Sequence, residues 1–212
     1  MNRPRGLYAI TPAEPVCGPS LAIRVEQAIR GGARMIQYRE KSGSPEKRLR
    51  EATELLAVCS AAGVPLIVND DLDLAAQLGA AGVHLGRDDA DPVTARRHLG
   101  PSAIIGISCY DRYERAQWAQ EAGADYAAFG RFFPSTTKPT AVQASPELLR
   151  RARRELTLPL VAIGGITPEN GRSLIEAGAD MLAVVDAVFG QPDIRAAAES
   201  FTRLFTQGGC SP

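Results

Sequence analysis

No run in this 212-residue chain approaches the ~20 consecutive apolar residues that a membrane-spanning helix needs, so no membrane partner is expected. An excess of either charge is missing too. Lys and Arg number 24 against 24 Asp and Glu, which removes the bulk attraction that nucleic acid or an anionic membrane surface would exert. The four cysteines, Cys17, Cys59, Cys109 and Cys210, form no close metal-binding pair, and Met1-Asn2-Arg3-Pro4-Arg5 leads into no signal-peptide apolar stretch. A cytoplasmic, reducing setting is the expectation. Linker-like segments are absent as well, and at 45% hydrophobic residues the chain can bury a full core, so residues 1–212 are expected to form one domain. Nothing in the sequence fixes whether copies associate into a homo-oligomer.

What is present is alternation: short β-like runs separated by longer stretches of helical period, sustained to the C-terminus. The runs are Gly6 to Thr11, Met35 to Glu40, Pro65 to Asp70, Gly82 to Leu85, Ile104 to Cys109, Tyr126 to Gly130, Pro159 to Gly165 and Met181 to Phe189. Between them, Pro45 to Ala62 and Tyr113 to Glu121 carry helical apolar spacing, and Ala62-Gly63, Ala81-Gly82, Ala122-Gly123-Ala124 and Ala177-Gly178-Ala179 recur as helix stops. Eight strand-helix units in this length predict an α/β fold, a closed (β/α)8 TIM barrel, with an open doubly wound sheet as the alternative. In a barrel, residues just after the strands converge on one face.

Those positions hold the polar residues. Asn69-Asp70-Asp71 follow PLIV and Asp88-Asp89 follow GVHL, so neighbouring strand ends would bring Asp70 and Asp89 to one rim. Oxygen-only ligands suit a hard cation such as Mg²⁺, which bridges carboxylates to phosphates while keeping waters; helix capping accounts equally for Asp71 and Asp73. Gln37, Arg39 and Lys41 alternate with Tyr38 and Glu40, so one amide and two cations point to one side as an anion cradle, or else simply end a strand in solvent. Ser135, Thr136, Thr137 and Lys138 stand in a loop with Pro134 and Pro139, where hydroxyls and an ammonium can bind phosphate. Gly164-Gly165-Ile166-Thr167-Pro168 leaves a strand and opens a helix, a place where backbone N–H groups approach an anion. His84 reads as a packed, hydrogen-bonded histidine, His98 as a cation at a helix C-terminus, and Trp118 as a packing residue on the barrel exterior. Cys109 has nothing beside it in sequence to lower its pKa.

The segments QYREK, VNDDLDLA, GVHLGRDDA, GIS, FPSTTK and AIGGITPEN, spread from Leu7 to Phe189, resemble those of thiamine-phosphate synthases. The resemblance implies a (β/α)8 barrel that joins hydroxymethylpyrimidine diphosphate to a thiazole phosphate, giving thiamine phosphate and diphosphate with Mg²⁺ as metal ion. Carried over by position, the segment Gln37-Tyr38-Arg39-Glu40-Lys41 and Asn69 would bind the pyrimidine diphosphate together with Ser108 and Lys138. Asp70 and Asp89 would hold Mg²⁺. Ser135, Thr136, Thr137 and Gly165, with the backbone at Val185 and Asp186, would seat the thiazole phosphate. Arg39, Lys41, Ser108 and Lys138 would carry the catalysis by stabilising the departing diphosphate, in a dissociative substitution that needs no protein nucleophile.

Two positions depart from the pattern. Many members of the family have serine where this chain has Asp186. A carboxylate about 5 Å from a phosphate charge repels it by roughly 3 kcal/mol at an effective dielectric near 20, so the side chain is expected to turn away. The related thiazole tautomerases use a histidine where this chain reads Phe129-Gly130-Arg131, and Arg131 cannot act as a neutral base. A non-catalytic barrel that binds thiamine precursors is the remaining alternative; the retained Asp70, Asp89 and Lys138 speak against it.

Overall fold

The computed structural model describes residues 4–12, 19–41, 43–134 and 142–206. Eight parallel strands follow one another in chain order and close on themselves, β8 pairing with β1. The first half contains β1 (Gly6–Ile10), α1 (Leu21–Arg30), β2 (Ala33–Tyr38), α2 (Pro45–Ala61), β3 (Leu66–Asn69), α3 (Leu72–Leu78), β4 (Gly82–Leu85) and α4 (Pro92–Leu99). The second contains β5 (Ile104–Tyr110), α5 (Tyr113–Glu121), β6 (Tyr126–Phe129), α6 (Pro146–Glu155), β7 (Leu160–Ile163), α7 (Pro168–Glu176), β8 (Met181–Val184), the single turn α8 (Asp186–Phe189) and α9 (Ile194–Thr206). The fold is the expected (β/α)8 barrel, and the doubly wound alternative is excluded by closure.

Local chemistry explains the joints. Ser44, Asp71, Asp91 and Ser145 each accept from a backbone N–H three residues on, capping α2, α3, α4 and α6, and three of these helices open on proline. Gly79 ends α3 in the left-handed conformation, φ +64°, which costs glycine nothing.

Strand alternation sorts side chains into two cores. One lies between barrel and helices and includes Leu7, Ile36, Tyr38, Leu66, Ile105 and Phe129. The other fills the barrel itself with Tyr8, Ile10, Met35, Ile67, Tyr126, Val161 and Met181 among others. On β5 the inward position is Gly106, where a Cβ would lie 1.9 Å from Cζ of Tyr126, so the missing side chain makes room for that ring.

Three sequence boundaries are corrected. The second run, read as Met35 to Glu40, is the strand Ala33–Tyr38, so Arg39, Glu40 and Lys41 follow the strand and do not extend it. The last predicted strand, Met181 to Phe189, stops at Val184, and Asp186–Phe189 turns helical. The seventh stops at Ile163 because Gly164 and Gly165 take φ of +101° and +64°. Apart from the exposed Asp186, the last and seventh runs stay apolar or small past the strand end, so hydrophobicity carries little mark of the change.

Candidate active site at the C-terminal mouth of the barrel

Asp70 and Asp89 meet at the rim between β3 and β4. Asp70 follows β3 with φ +64°, a region that costs most side chains roughly 1–2 kcal/mol and Asp less. Its N–H donates to the His84 carbonyl at 2.9 Å, which pins the turn. The Asp89 carboxylate accepts from the Gly86 N–H at 2.6 Å and stands within hydrogen-bonding reach of Asp70. Asp89 is exposed as a residue, yet loss of water around its carboxyl, followed in the same direction by Asp70, raises its pKa above the usual carboxylate range; the Gly86 N–H opposes the shift. Crowded carboxylates of this kind suit a divalent cation. Among the described residues no group of three or more His, Cys, Asp or Glu could cage a metal, so an ion here would complete its shell with water and substrate oxygens, the habit of Mg²⁺.

Lys41 Nζ lies 3.1 Å from Asp70 Oδ2, with the two side chains 54% and 32% exposed. A pair this open contributes about 0–1 kcal/mol, so Lys41 is held at the mouth without being committed to its partner. Arg39 is the first residue past β2, its backbone N–H donating to Thr11 Oγ1 at 2.9 Å. Tyr38 and Glu40 are placed differently from the rest of their segment. The Tyr38 hydroxyl donates to Glu51 on α2 at 2.9 Å, and Glu40 accepts from Lys47 at 2.6 Å, so both side chains reach α2, while Glu40 also borders the cavity. Asp71 likewise caps α3 and accepts from Arg48 at 2.9 Å. A cavity of about 580 Å³ opens on this flank, bordered by Lys41, Asn69 and Asp70 and reaching out to His98, a volume suited to a small ligand. His98, in the last turn of α4, lies 3.3 Å from Asp73.

Below the mouth runs a polar chain that sequence reading missed. Gln37 Nε2 donates to the Tyr8 hydroxyl at 2.6 Å; Tyr8 and Tyr126 hydroxyls are 2.8 Å apart. Tyr126 reaches His84 Nδ1 at 2.9 Å, and His84 Nε2 reaches Ser108 Oγ at 2.8 Å. Burial pushes both phenols well above their ordinary pKa, so both keep their protons. The order that gives each proton an acceptor runs from Gln37 through Tyr8 and Tyr126 to His84 Nδ1. His84 then donates from Nε2 to Ser108, and the Ser108 hydroxyl keeps its own proton for the mouth. His84 is a hydrogen-bonded core histidine as expected, and the inward parity of Tyr8, Gln37, His84, Ser108 and Tyr126 was the available signal.

Opposite, Gly164 and Gly165 form the turn into α7. A Cβ on Gly165 would lie 2.3 Å from the Pro134 carbonyl, and the Gly165 carbonyl accepts from Asn170 at 3.0 Å, so the turn is locked by close packing and by the Thr167–Asn170 capping box. Val185 precedes α8, and Asp186 opens that turn as an exposed residue, where an acid favours the helix N-terminus. Ser135, Thr136, Thr137 and Lys138 lie outside the described residues. Cys109 is buried, and burial raises its thiol to about 12, which fits an inert packing role.

Eight parallel strands closed in order, with the polar side chains gathered at their C-terminal ends, define an enzyme of the (β/α)8-barrel class. Residues 7–188 match the family model described as thiamine monophosphate synthase. The chain is 54% identical over 202 residues to a thiamine-phosphate synthase of Thiobacillus denitrificans, covering 95% of each chain. A thiamine-phosphate synthase of Nitrosococcus oceani is 53% identical, with 95% of this chain and 93% of that one covered. Among solved structures, thiamine phosphate pyrophosphorylase from Pyrococcus furiosus superimposes with a TM-score of 0.85 at 32% identity, covering 97% of each chain. The chain therefore belongs to the thiamine monophosphate synthase family.

Proposed function

We propose that the protein is a thiamine-phosphate synthase that works by Mg²⁺-assisted dissociative substitution at the rim between β2 and β5. The activity, a transferase reaction joining hydroxymethylpyrimidine diphosphate to a thiazole phosphate, rests on family membership. The mechanism rests above all on the convergence of Asp70, Asp89 and Lys41. Mg²⁺ held by Asp70 and Asp89 would neutralise charge on the diphosphate when bound. Arg39 and Lys41, with Lys138, bind the diphosphate oxygens and stabilise the negative charge that grows as the C–O bond breaks. Ser108, its hydroxyl oriented by His84, donates a hydrogen bond to the same group. Gln37 and Asn69 hold the pyrimidine side. Its ring nitrogens and amino group delocalise the positive charge left on the methylene carbon, and the thiazole nitrogen attacks that carbon. Ser135, Thr136, Thr137, the Gly165 turn and the backbone at Val185 and Asp186 seat the thiazole phosphate.

A cytoplasmic setting belongs to the same proposal, supported by the buried thiols Cys59 and Cys109; no described helix is long and apolar enough to cross a membrane. The deciding experiment is to incubate the pure protein with both substrates, with and without Mg²⁺, and follow thiamine phosphate. Product formation that stops on chelation is the expected result. Undiminished product in chelator would remove Mg²⁺ from the mechanism while leaving the activity in place.

A further inference from the structure

Arg115 sits in the first turn of α5, outside the barrel wall, and its side-chain hydrogen bonds go to backbone carbonyls and to none of the side chains assigned to substrate or metal. Its planar fork instead spans the end of β4 and the bulge of β5: Nε donates to the Ser108 carbonyl at 2.6 Å and one Nη to the Gly86 carbonyl at 2.7 Å. The guanidinium is backed by the Trp118 ring, 5.3 Å from its centroid. Each carbonyl belongs to a residue that serves the mouth. The Gly86 N–H holds Asp89 at 2.6 Å, and the Ser108 hydroxyl meets His84 at 2.8 Å.

The geometry between these two points is unusual. The pairing of β5 with β6 slips between Ser108 and Tyr110, a bulge that turns the end of the strand, and Tyr110 carries φ +56°. A Cβ on Gly86 would come within 2.9 Å of Asp89 Oδ2 and 3.7 Å of the Tyr110 hydroxyl, so loop, bulge and carboxylate are packed together. The loop is further pressed to the bulge by Arg87, whose guanidinium lies 5.1 Å from the Tyr110 ring centroid. The Gly86 carbonyl lies just past β4 and the Ser108 carbonyl at the β5 bulge, beyond the last β4–β5 pair, Leu85 with Ile107, and two carbonyls at a fixed spacing are matched by a guanidinium fork. An ammonium could satisfy only one.

We propose that Arg115 is a positioning residue that fixes Asp89 and Ser108 relative to one another, and so sets the affinity of the mouth for the Mg²⁺–diphosphate unit. This rests on the reading that Asp89 and Ser108 serve that unit. Outer-shell partners of metal ligands usually change affinity or activity by about 10–100-fold when removed. In Arg115→Met the concentration of Mg²⁺ that half-saturates turnover should rise about 10-fold. Calorimetric titration of Mg²⁺–diphosphate into the substrate-free enzyme should show a matching loss of affinity, while the KM for thiazole phosphate stays put. Arg115→Lys should fall between the two, since it keeps the charge and one carbonyl contact; it also serves if the Met variant does not fold. A folded variant with unchanged Mg²⁺ dependence and unchanged diphosphate affinity overturns the proposal, even with a lowered thermal midpoint, because a purely structural arginine would move stability alone. Asp89→Asn, titrated in parallel, separates the two layers. If it loses Mg²⁺–diphosphate while Arg115→Met does not, only the role of Arg115 fails; if it binds as the wild type does, the reading of Asp89 fails and this proposal with it.

Discussion

The two ends of the barrel use the same residue types in opposite ways. At the bottom, where the strands begin, Asp125 and Asp180 follow the repeated Ala-Gly-Ala stops and each carboxylate is tied to a backbone N–H and an arginine. Asp180 accepts from the Leu160 N–H at 2.8 Å and from Arg153 at 2.5 Å, while Arg153 also donates to the Gly178 carbonyl at 2.8 Å. Asp125 accepts from the Ile105 N–H at 2.7 Å and from Arg96 at 2.6 Å, and Arg96 donates to the Ala103 and Gly123 carbonyls as well. At the top, Asp70 and Asp89 face one another, with an open Lys41 pair and a positive φ to hold them there. Carboxylates at the bottom close the structure; those at the top stand against one another with one exposed lysine beside them. Function at one end and stability at the other is the division expected of this architecture.

Replacing carboxylates at each end should pull these roles apart. The largest effect is expected at the top. Asp89→Ala or Lys138→Ala should lower turnover about 10²–10³-fold, the size of loss seen when one well-placed group is removed, with little change in thermal midpoint. Steady-state rates at saturating Mg²⁺ check this, and near-normal turnover would break the comparison. At the bottom, Asp180→Ala should destabilise by about 3 kcal/mol in denaturant titration, by leaving the buried Leu160 N–H without its acceptor and Arg153 with the Gly178 carbonyl alone, while turnover per folded molecule is retained.

A middle-sized effect belongs to the interior. Gly106→Ala should cost about 1–3 kcal/mol, because the added methyl overlaps the Tyr126 ring, and should also lower activity through displacement of His84 and Ser108. Smaller still is a pH effect at the top. Asp89 has a raised folded-state pKa, so its contribution to stability is complete below its unfolded pKa, about 3.9, and is lost as pH rises through the folded value. In chelator, Asp89→Asn should therefore melt above the wild type near neutral pH, with the gap closing in acid. Melting curves across pH decide it; a gap that does not depend on pH would show that Asp89 carries no such strain. The smallest change is expected for Asp186→Ser, which should leave thiazole phosphate affinity unchanged; a large gain would show the carboxylate facing the phosphate.

How far the sequence reached depends on whether a feature is local. The helix stops, the eight runs and the alternation in Gln37-Tyr38-Arg39 are local patterns, and the barrel follows from them. Strand parity places Tyr38 on the far side from Gln37, although the resemblance groups it with the substrate-binding residues; Glu40 lies past the strand end, where it meets Lys47 and borders the cavity. The single turn Asp186–Phe189 reads as strand because Val185, Ala187, Val188 and Phe189 continue the apolar run on either side of Asp186. Tyr8, Tyr126 and His84 sit on β1, β6 and β4, so their hydrogen bonds exist only after closure. Arg115 was invisible for a related reason. It acts on backbone carbonyls, which every residue has and no motif records.

The central claim is that Asp70 and Asp89 form one cation site at the mouth. Titrating Mn²⁺, as a stand-in for Mg²⁺, into the enzyme with diphosphate present and following its electron paramagnetic resonance signal tests this most directly. One bound ion per chain, lost in both Asp70→Asn and Asp89→Asn and kept in Asp180→Asn, is the predicted result. Undiminished binding in either top variant would contradict the account.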